Sequence, residues 1–165
     1  AKHGDEMKYD FPRARLQNPY DFSFSGLKTA VLRAVQREVG VDHTFPSSGL
    51  PARLNDVQRA NFAASFQRVA NETLVAKTVK AYQEFQPASV VIAGGVAADV
   101  DLRRRLAEKL PIDIEYAPRG LCTDNGAMIA TLGYYVAQHV PPTDPTALEV
   151  KPTLSMNETA WRNND

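Results

Sequence analysis

Cysteine is nearly absent from this chain. Cys122 is the only one among 165 residues. That excludes an intramolecular disulfide and any metal site built from several thiolates. The three histidines, His3, His43 and His139, stand far apart and form no H-x-x-x-H pair. No apolar run approaches the ~20 residues a membrane-spanning helix needs. The first residues, Ala1-Lys2-His3-Gly4-Asp5-Glu6, have no apolar signal-peptide core, so a cytoplasmic setting with no membrane is expected. Net charge is also missing: 19 basic and 19 acidic residues cancel. A nucleic-acid binder that works by bulk electrostatics is thereby disfavoured, although a local basic patch is not.

What remains is ordinary for a globular chain, with 44% hydrophobic and 23% charged residues and enough length to bury a core. The most informative stretch is Val90-Val91-Ile92-Ala93-Gly94-Gly95. A short apolar run bounded by a turn signal reads as a buried strand, expected over 88–93. Two glycines at its carboxyl end let a ligand approach the backbone, because no Cβ intervenes. A helix expected over about 99–110, with Leu102, Leu106 and Leu110 on one face, would aim its N-terminal N–H groups at the same place. Ligands of open α/β sheets sit at the carboxyl ends of strands, so Gly94 and Gly95 are candidate contacts for a nucleotide or phosphate.

Residues 1–20, polar with scattered prolines, read as an irregular leading segment. Tyr20 to Gly26 alternates aromatic and polar residues, as a short strand or strand-like loop would. A helix over 27–39 follows, capped by Ser25 or Gly26 and stopped by Gly40. The longest helical pattern runs from Asp56 to about Phe85. Phe62, Phe66, Val69, Thr73, Ala76, Val79 and Tyr82 keep its three-four spacing, Asn55 or Asp56 caps it and Pro87 ends it. Ile112 to Tyr116 alternates like a second strand. Thr123 and Asp124 are cap candidates for an apolar helix from Ala127 to about His139. Four prolines between Pro141 and Pro152 then mark a tail over 141–165. The order of elements implies βαβ units with a small, mostly parallel sheet.

Asp124 is the sharpest single candidate: a cap, or a carboxylate offered to a metal or nucleotide. Asp99 divides the same way, between a cap and an acceptor for nucleotide donors. Its charge would repel phosphate, so a neutral part of the nucleotide should face it. Ser23, Ser25 and Lys28 form a second polar cluster, in which Lys28 is either an exposed lysine or a point charge for phosphate. Arg103, Arg104, Arg105, Lys109 and Arg119 make the densest basic patch, read either as a solvated face or as contacts to RNA phosphates. Cys122 has no neighbouring base to activate it and reads as a small buried residue.

Three motifs occur in one order: Phe22-Ser23-Phe24-Ser25-Gly26-Leu27-Lys28-Thr29-Ala30, Ala93-Gly94-Gly95-Val96-Ala97-Ala98 followed by Leu102-Arg103, and Cys122-Thr123-Asp124-Asn125-Gly126-Ala127-Met128-Ile129-Ala130. From Phe11 to Val140 the chain resembles the tRNA threonylcarbamoyladenosine transferase family, formerly labelled O-sialoglycoprotein endopeptidases or glycoproteases. The peptidase label finds no support here, since there is neither H-E-x-x-H nor a catalytic triad. The resemblance implies an α/β fold of the actin, Hsp70 and sugar-kinase (RNase-H-like) superfamily, with residues 21–140 as the C-terminal lobe. The N-terminal lobe, with the family's paired metal-binding histidines, is expected to lie outside this chain.

The family's activity would be transfer of a threonylcarbamoyl group from threonylcarbamoyl-adenylate to the exocyclic amine of an adenosine beside the tRNA anticodon. Gly94, Gly95 and Asp99 match its nucleotide contacts, and Asp124 matches its metal-ligand aspartate. Asp99 departs from the family's asparagine: it accepts hydrogen bonds but cannot donate. The implied cofactor is one divalent metal, iron or zinc, which would polarise the carbonyl as a Lewis acid, with adenylate or ATP as ligand. Because one aspartate cannot hold such an ion usefully, the isolated chain is expected to be inactive and to contribute no catalytic residue of its own. Implied partners are tRNA and small proteins of the threonylcarbamoyladenosine pathway. The rival readings are a kinase of the same superfamily and a non-catalytic lobe that binds nucleotide or partner protein.

Overall fold

The structure is a computed structural model that describes residues 1–147, 149–150 and 152–153. Two compact units divide the chain, residues 1–117 and 118–165, and each is described by itself. The last twelve residues of the expected tail lie outside the described residues.

In the first unit, α1 (Ser25–Glu38) ends in a Schellman turn. Gly40 adopts φ 68°, and the N–H groups of Gly40 and Val41 return to the carbonyls of Arg37 and Gln36 at 3.2 and 2.9 Å. Its start differs from expectation. Phe24 is the N-cap residue and no side chain caps the helix. Tyr20 to Phe24 forms no strand: the aromatic alternation is a loop, in which Phe24 joins the core and Phe22 stays exposed.

The long helix α2 (Asp56–Phe85) matches the sequence pattern at both ends. Asn55 and Gln58 close a capping box, each side chain bonding the other's backbone N–H. At the far end Gln86 turns left-handed, at φ 46°, ahead of Pro87. This helix serves two cores. Its first half packs Phe62 and Val69 against Phe11, Leu27, Val35 and Leu50. Its second half packs Val75 against Leu102, Leu106 and Leu110.

The leading segment is irregular but built into the first core. Phe11 is buried, and the Tyr9 ring lies flat on Phe62 with centroids 3.8 Å apart. Side chains of α2 hold its backbone: Asn61 Oδ1 accepts from Asp5 N–H at 2.8 Å, Ser65 Oγ from Tyr9 N–H at 3.1 Å, and Arg68 Nε donates to the Glu6 carbonyl at 2.9 Å. These bonds explain why Ser65 and Arg68 are buried on the face of α2 that meets the leading segment.

After α2, β1 (Val90–Ile92) and β2 (Ile114–Tyr116) form a two-stranded parallel sheet, with Val90 opposite Ile114 and Ile92 opposite Tyr116. Both strands are shorter than expected. The helix between them, α3 (Val100–Lys109), packs Leu102, Leu106 and Leu110 against Val75, with Val90, Ile92 and Ile114 around them. In the second unit, a 3-10 turn at Arg119–Leu121 precedes α4 (Gly126–Val136), and the expected tail carries a further 3-10 turn at Pro145–Ala147. Among the described residues, no helix is long and apolar enough to cross a membrane.

Candidate functional site

The strand β1 runs straight into the two glycines. Gly94 adopts φ 86°, ψ 169°, a conformation essentially reserved for glycine. This conformation, rather than crowding, demands the glycine, because a Cβ built there meets nothing within 4 Å. Both glycines are exposed, so the backbone at the strand's carboxyl end is open to a ligand.

The helix α3 starts at Val100, within a residue of the expected start. A 3-10 turn, Gly95–Ala98, intervenes before α3. The first N–H groups of α3 are taken: Asp99 Oδ1 accepts from Asp101 N–H at 2.8 Å and from Leu102 N–H at 3.3 Å. The expected arrangement of free helix N–H groups beside the glycines is therefore absent, because the cap residue satisfies them itself.

Asp99 does more than cap. Its Oδ2 accepts from Gln67 Nε2 at 2.8 Å and from Asn71 Nδ2 at 3.3 Å, both on α2. Asn71 Nδ2 also reaches Asp101 Oδ2 at 3.0 Å, which accounts for the burial of Asn71. Four hydrogen bonds from the chain occupy the Asp99 carboxylate, about its full acceptor capacity. Beside it opens a cavity of about 420 Å³, lined by Lys2, Gln67, Arg68, Asp99, Asp101 and Arg104 among others. That volume suits a small polar ligand.

Burial alone would raise the Asp101 carboxyl, but hydrogen bonds from Asn71, Arg105 and Arg104 outweigh it and hold the group below its ordinary value. Arg105 joins Asp101, Glu6 and Glu72, and Arg104 bridges Asp101 and Glu108. Arg104 and Arg105 of the expected basic patch are thus paired with carboxylates within the fold. Arg103, half-buried, reaches the carbonyls of Ala97 and Ala117 and the ring of Tyr116. Lys28, Lys109 and Arg119 are exposed. Ser25 is the first residue of α1 rather than its cap.

In the second unit the cap of α4 is Asn125, not Thr123 or Asp124. Asn125 Oδ1 accepts from Met128 N–H at 2.9 Å, and its amide donates to the Thr123 carbonyl at 2.9 Å. The neighbouring Asp124 is exposed, and no described hydrogen bond or ion pair engages it. Cys122 is buried, with its thiol 3.5 Å from the Pro118 carbonyl. Gly94, Gly95 and Asp99 thus lie in the first unit and Asp124 in the second.

The sequence profile of tRNA N6-adenosine threonylcarbamoyltransferase matches residues 1–131. The chain belongs to that family. It therefore has the α/β architecture of the actin and Hsp70 superfamily, here helix-rich with a small parallel sheet. Curated relatives carrying the same name include those of Symbiobacterium thermophilum, 49% identical over 82% of this chain, and Thermomicrobium roseum, 45% identical over 84%. The relative from Thermosipho africanus is 41% identical over 94% of the chain. The alignments cover 37%, 40% and 44% of those three proteins, so the chain spans less than half their length.

Among the described residues, no group of three or more His, Cys, Asp or Glu side chains comes together to hold an ion. Asp124 by itself offers a single carboxylate, fewer donors than iron or zinc requires. The described residues of this chain do not by themselves fit a metal centre.

Proposed function

We propose that this chain forms the nucleotide-contacting part of a tRNA N6-adenosine threonylcarbamoyltransferase. The reaction passes a threonylcarbamoyl group from threonylcarbamoyl-adenylate to the N6 amine of an adenosine beside the tRNA anticodon. A new N–C bond forms at the carbamoyl carbonyl, the bond to the adenylate phosphate breaks, and AMP leaves. Gly94 and Gly95 meet the phosphate end of the adenylate, where the absence of side chains allows close approach. Asp99 borders a neutral part of the nucleotide; with its oxygens already occupied, it contributes position and charge rather than new bonds.

The observation that carries this reading is the exposed, glycine-only conformation of Gly94 at the carboxyl end of β1 in a chain of this family. Asp124, relieved of capping by Asn125, supplies one ligand to a divalent ion, iron or zinc, whose other ligands come from outside this chain. The tRNA and small partner proteins of the same pathway complete the assembly.

Calorimetric titration of a non-hydrolysable ATP analogue into the chain tests the nucleotide assignment. Binding that is lost in Gly95→Val and kept in Asp124→Ala is the expected pattern. Binding untouched by Gly95→Val would place the nucleotide elsewhere.

A further inference from the structure

Arg103 lies three and seven residues before Leu106 and Leu110, on the edge of the apolar stripe of α3. Its neighbours Arg104 and Arg105 pair with carboxylates. Arg103 spans two backbone segments. Its Nε donates to the carbonyl of Ala97, in the turn that follows the glycines, and its Nη2 donates to the carbonyl of Ala117 at 3.3 Å, just past β2. The guanidinium carbon stands 4.5 Å from the centre of the Tyr116 ring, within cation–π range. Tyr116 answers by donating its hydroxyl to the Arg103 carbonyl at 3.2 Å. The Ala117 N–H donates to the Ile92 carbonyl at 3.4 Å, where β1 ends.

We propose that Arg103 is a positioning residue: by tying the Gly95–Ala98 turn to the end of β2, it fixes the backbone that Gly94 and Gly95 present to the nucleotide. The physical need is plain. Two adjacent glycines cost the folded chain conformational entropy, and the space on the Cβ side of Gly94 is open. The next turn, Gly95–Ala98, is short and closes through Ala97 N–H on the Gly94 carbonyl and Asp99 N–H on the Val96 carbonyl, both at 3.0 Å. Arg103 adds an anchor from outside the turn to those that the buried Ala97 and the Asp99 bonds to α2 supply. The Ala97 carbonyl is the group that Arg103 grips, and a planar fork with fixed donor directions can hold two carbonyls while stacking on a ring, whereas a lysine cannot. The functional half of this assignment rests on the nucleotide reading given above; the anchoring half does not.

The test uses the complete 165-residue chain and three variants: Arg103→Ala, Arg103→Lys and, as a control on an exposed position of the same helix, Lys109→Ala. Amide hydrogen exchange at residues 94–98 and 117 is followed beside exchange in α2 and titration with the ATP analogue. With the charge-assisted hydrogen bonds gone, exchange at 94–98 and 117 should quicken about tenfold or more in Arg103→Ala. Exchange in α2 should stay put, and nucleotide affinity should fall about tenfold as well. Arg103→Lys should recover only part of either effect, and Lys109→Ala should show neither.

Unchanged exchange at 94–98 in Arg103→Ala would overturn the anchoring role whatever the nucleotide does. Quickened exchange with unaltered affinity would keep the anchor and overturn its bearing on the nucleotide. If exchange quickens but even the unmodified chain binds no nucleotide, the nucleotide reading and the positioning role built on it fall together. Exchange that quickens throughout α2 as well would show a general loss of stability, and would also count against a local anchor.

Discussion

Gln67 on α2 donates its amide to the Asp99 carboxylate at 2.8 Å, while the other Asp99 oxygen caps α3. One side chain thereby joins two helices next to the candidate nucleotide turn. Removing it in Asp99→Ala should cost about 1–2 kcal/mol, the usual range for a lost cap. Asp99→Asn should fall between. Its oxygen keeps the cap, but its amide nitrogen meets the donors of Gln67 and Asn71. Urea denaturation of the three proteins measures this ordering; an Asp99→Ala midpoint equal to that of the unmodified chain would refute it.

Gly94→Ala should destabilise the chain by about 1–3 kcal/mol, because its φ of 86° is costly for any residue with a Cβ. Gly120→Ala serves as the control. That glycine also has open space around it, but no left-handed backbone, and its replacement should change stability by less than about 0.5 kcal/mol. Thermal unfolding of both variants distinguishes conformational strain from crowding.

Asp101 gives the fold an acid limb. Its folded-state carboxyl lies below the ordinary 3.8, so the unfolded chain binds the proton more readily. The stabilisation is present above the unfolded value and is lost as pH falls through the folded one. Stability measured from pH 7 down to 3 should decline on the acid side, and Asp101→Asn should flatten part of that decline. An identical acid slope in Asp101→Asn would exclude this group as a contributor.

Gly4 sits against α2 so closely that an added Cβ would lie 2.0 Å from the Ala60 carbonyl oxygen. Gly4→Ala should therefore lift the leading segment, break the bonds from Asn61 and Ser65 to its backbone, and expose residues 1–10 to protease. Limited proteolysis provides the check. An unchanged cleavage pattern would mean that the segment is held by Tyr9 and Phe11 alone.

The ends of α2 were readable because their signals are local: Asn55 with Gln58, and Pro87. The buried Ser65, Arg68 and Asn71 were not, since their partners Asp5, Glu6, Tyr9, Asp99 and Asp101 are far away in sequence. Period-two aromatics at Phe22 and Phe24 fit a strand or a strand-like loop, and alternation over so few residues does not choose between them; the loop forms and sends Phe24 inward. The cap of α4 went to Asn125 rather than Asp124 because neighbouring cap-formers of similar strength cannot be separated by propensity. Arg103 was grouped with a surface patch by composition. Its place beside Leu106 and Leu110 on the helical wheel, with an aromatic at Tyr116, was the signal that it turns inward.

The most direct test of the account is threonylcarbamoyl transfer to tRNA by a chimera. The Symbiobacterium thermophilum relative, 49% identical over 82% of this chain, would have its corresponding segment replaced by residues 1–131 of this protein, the part that matches the family. The chimera should form threonylcarbamoyladenosine in tRNA, and Asp124→Ala in the same chimera should abolish the product. A folded chimera that binds the adenylate yet makes no modified tRNA, or one whose product is indifferent to Asp124→Ala, would contradict it.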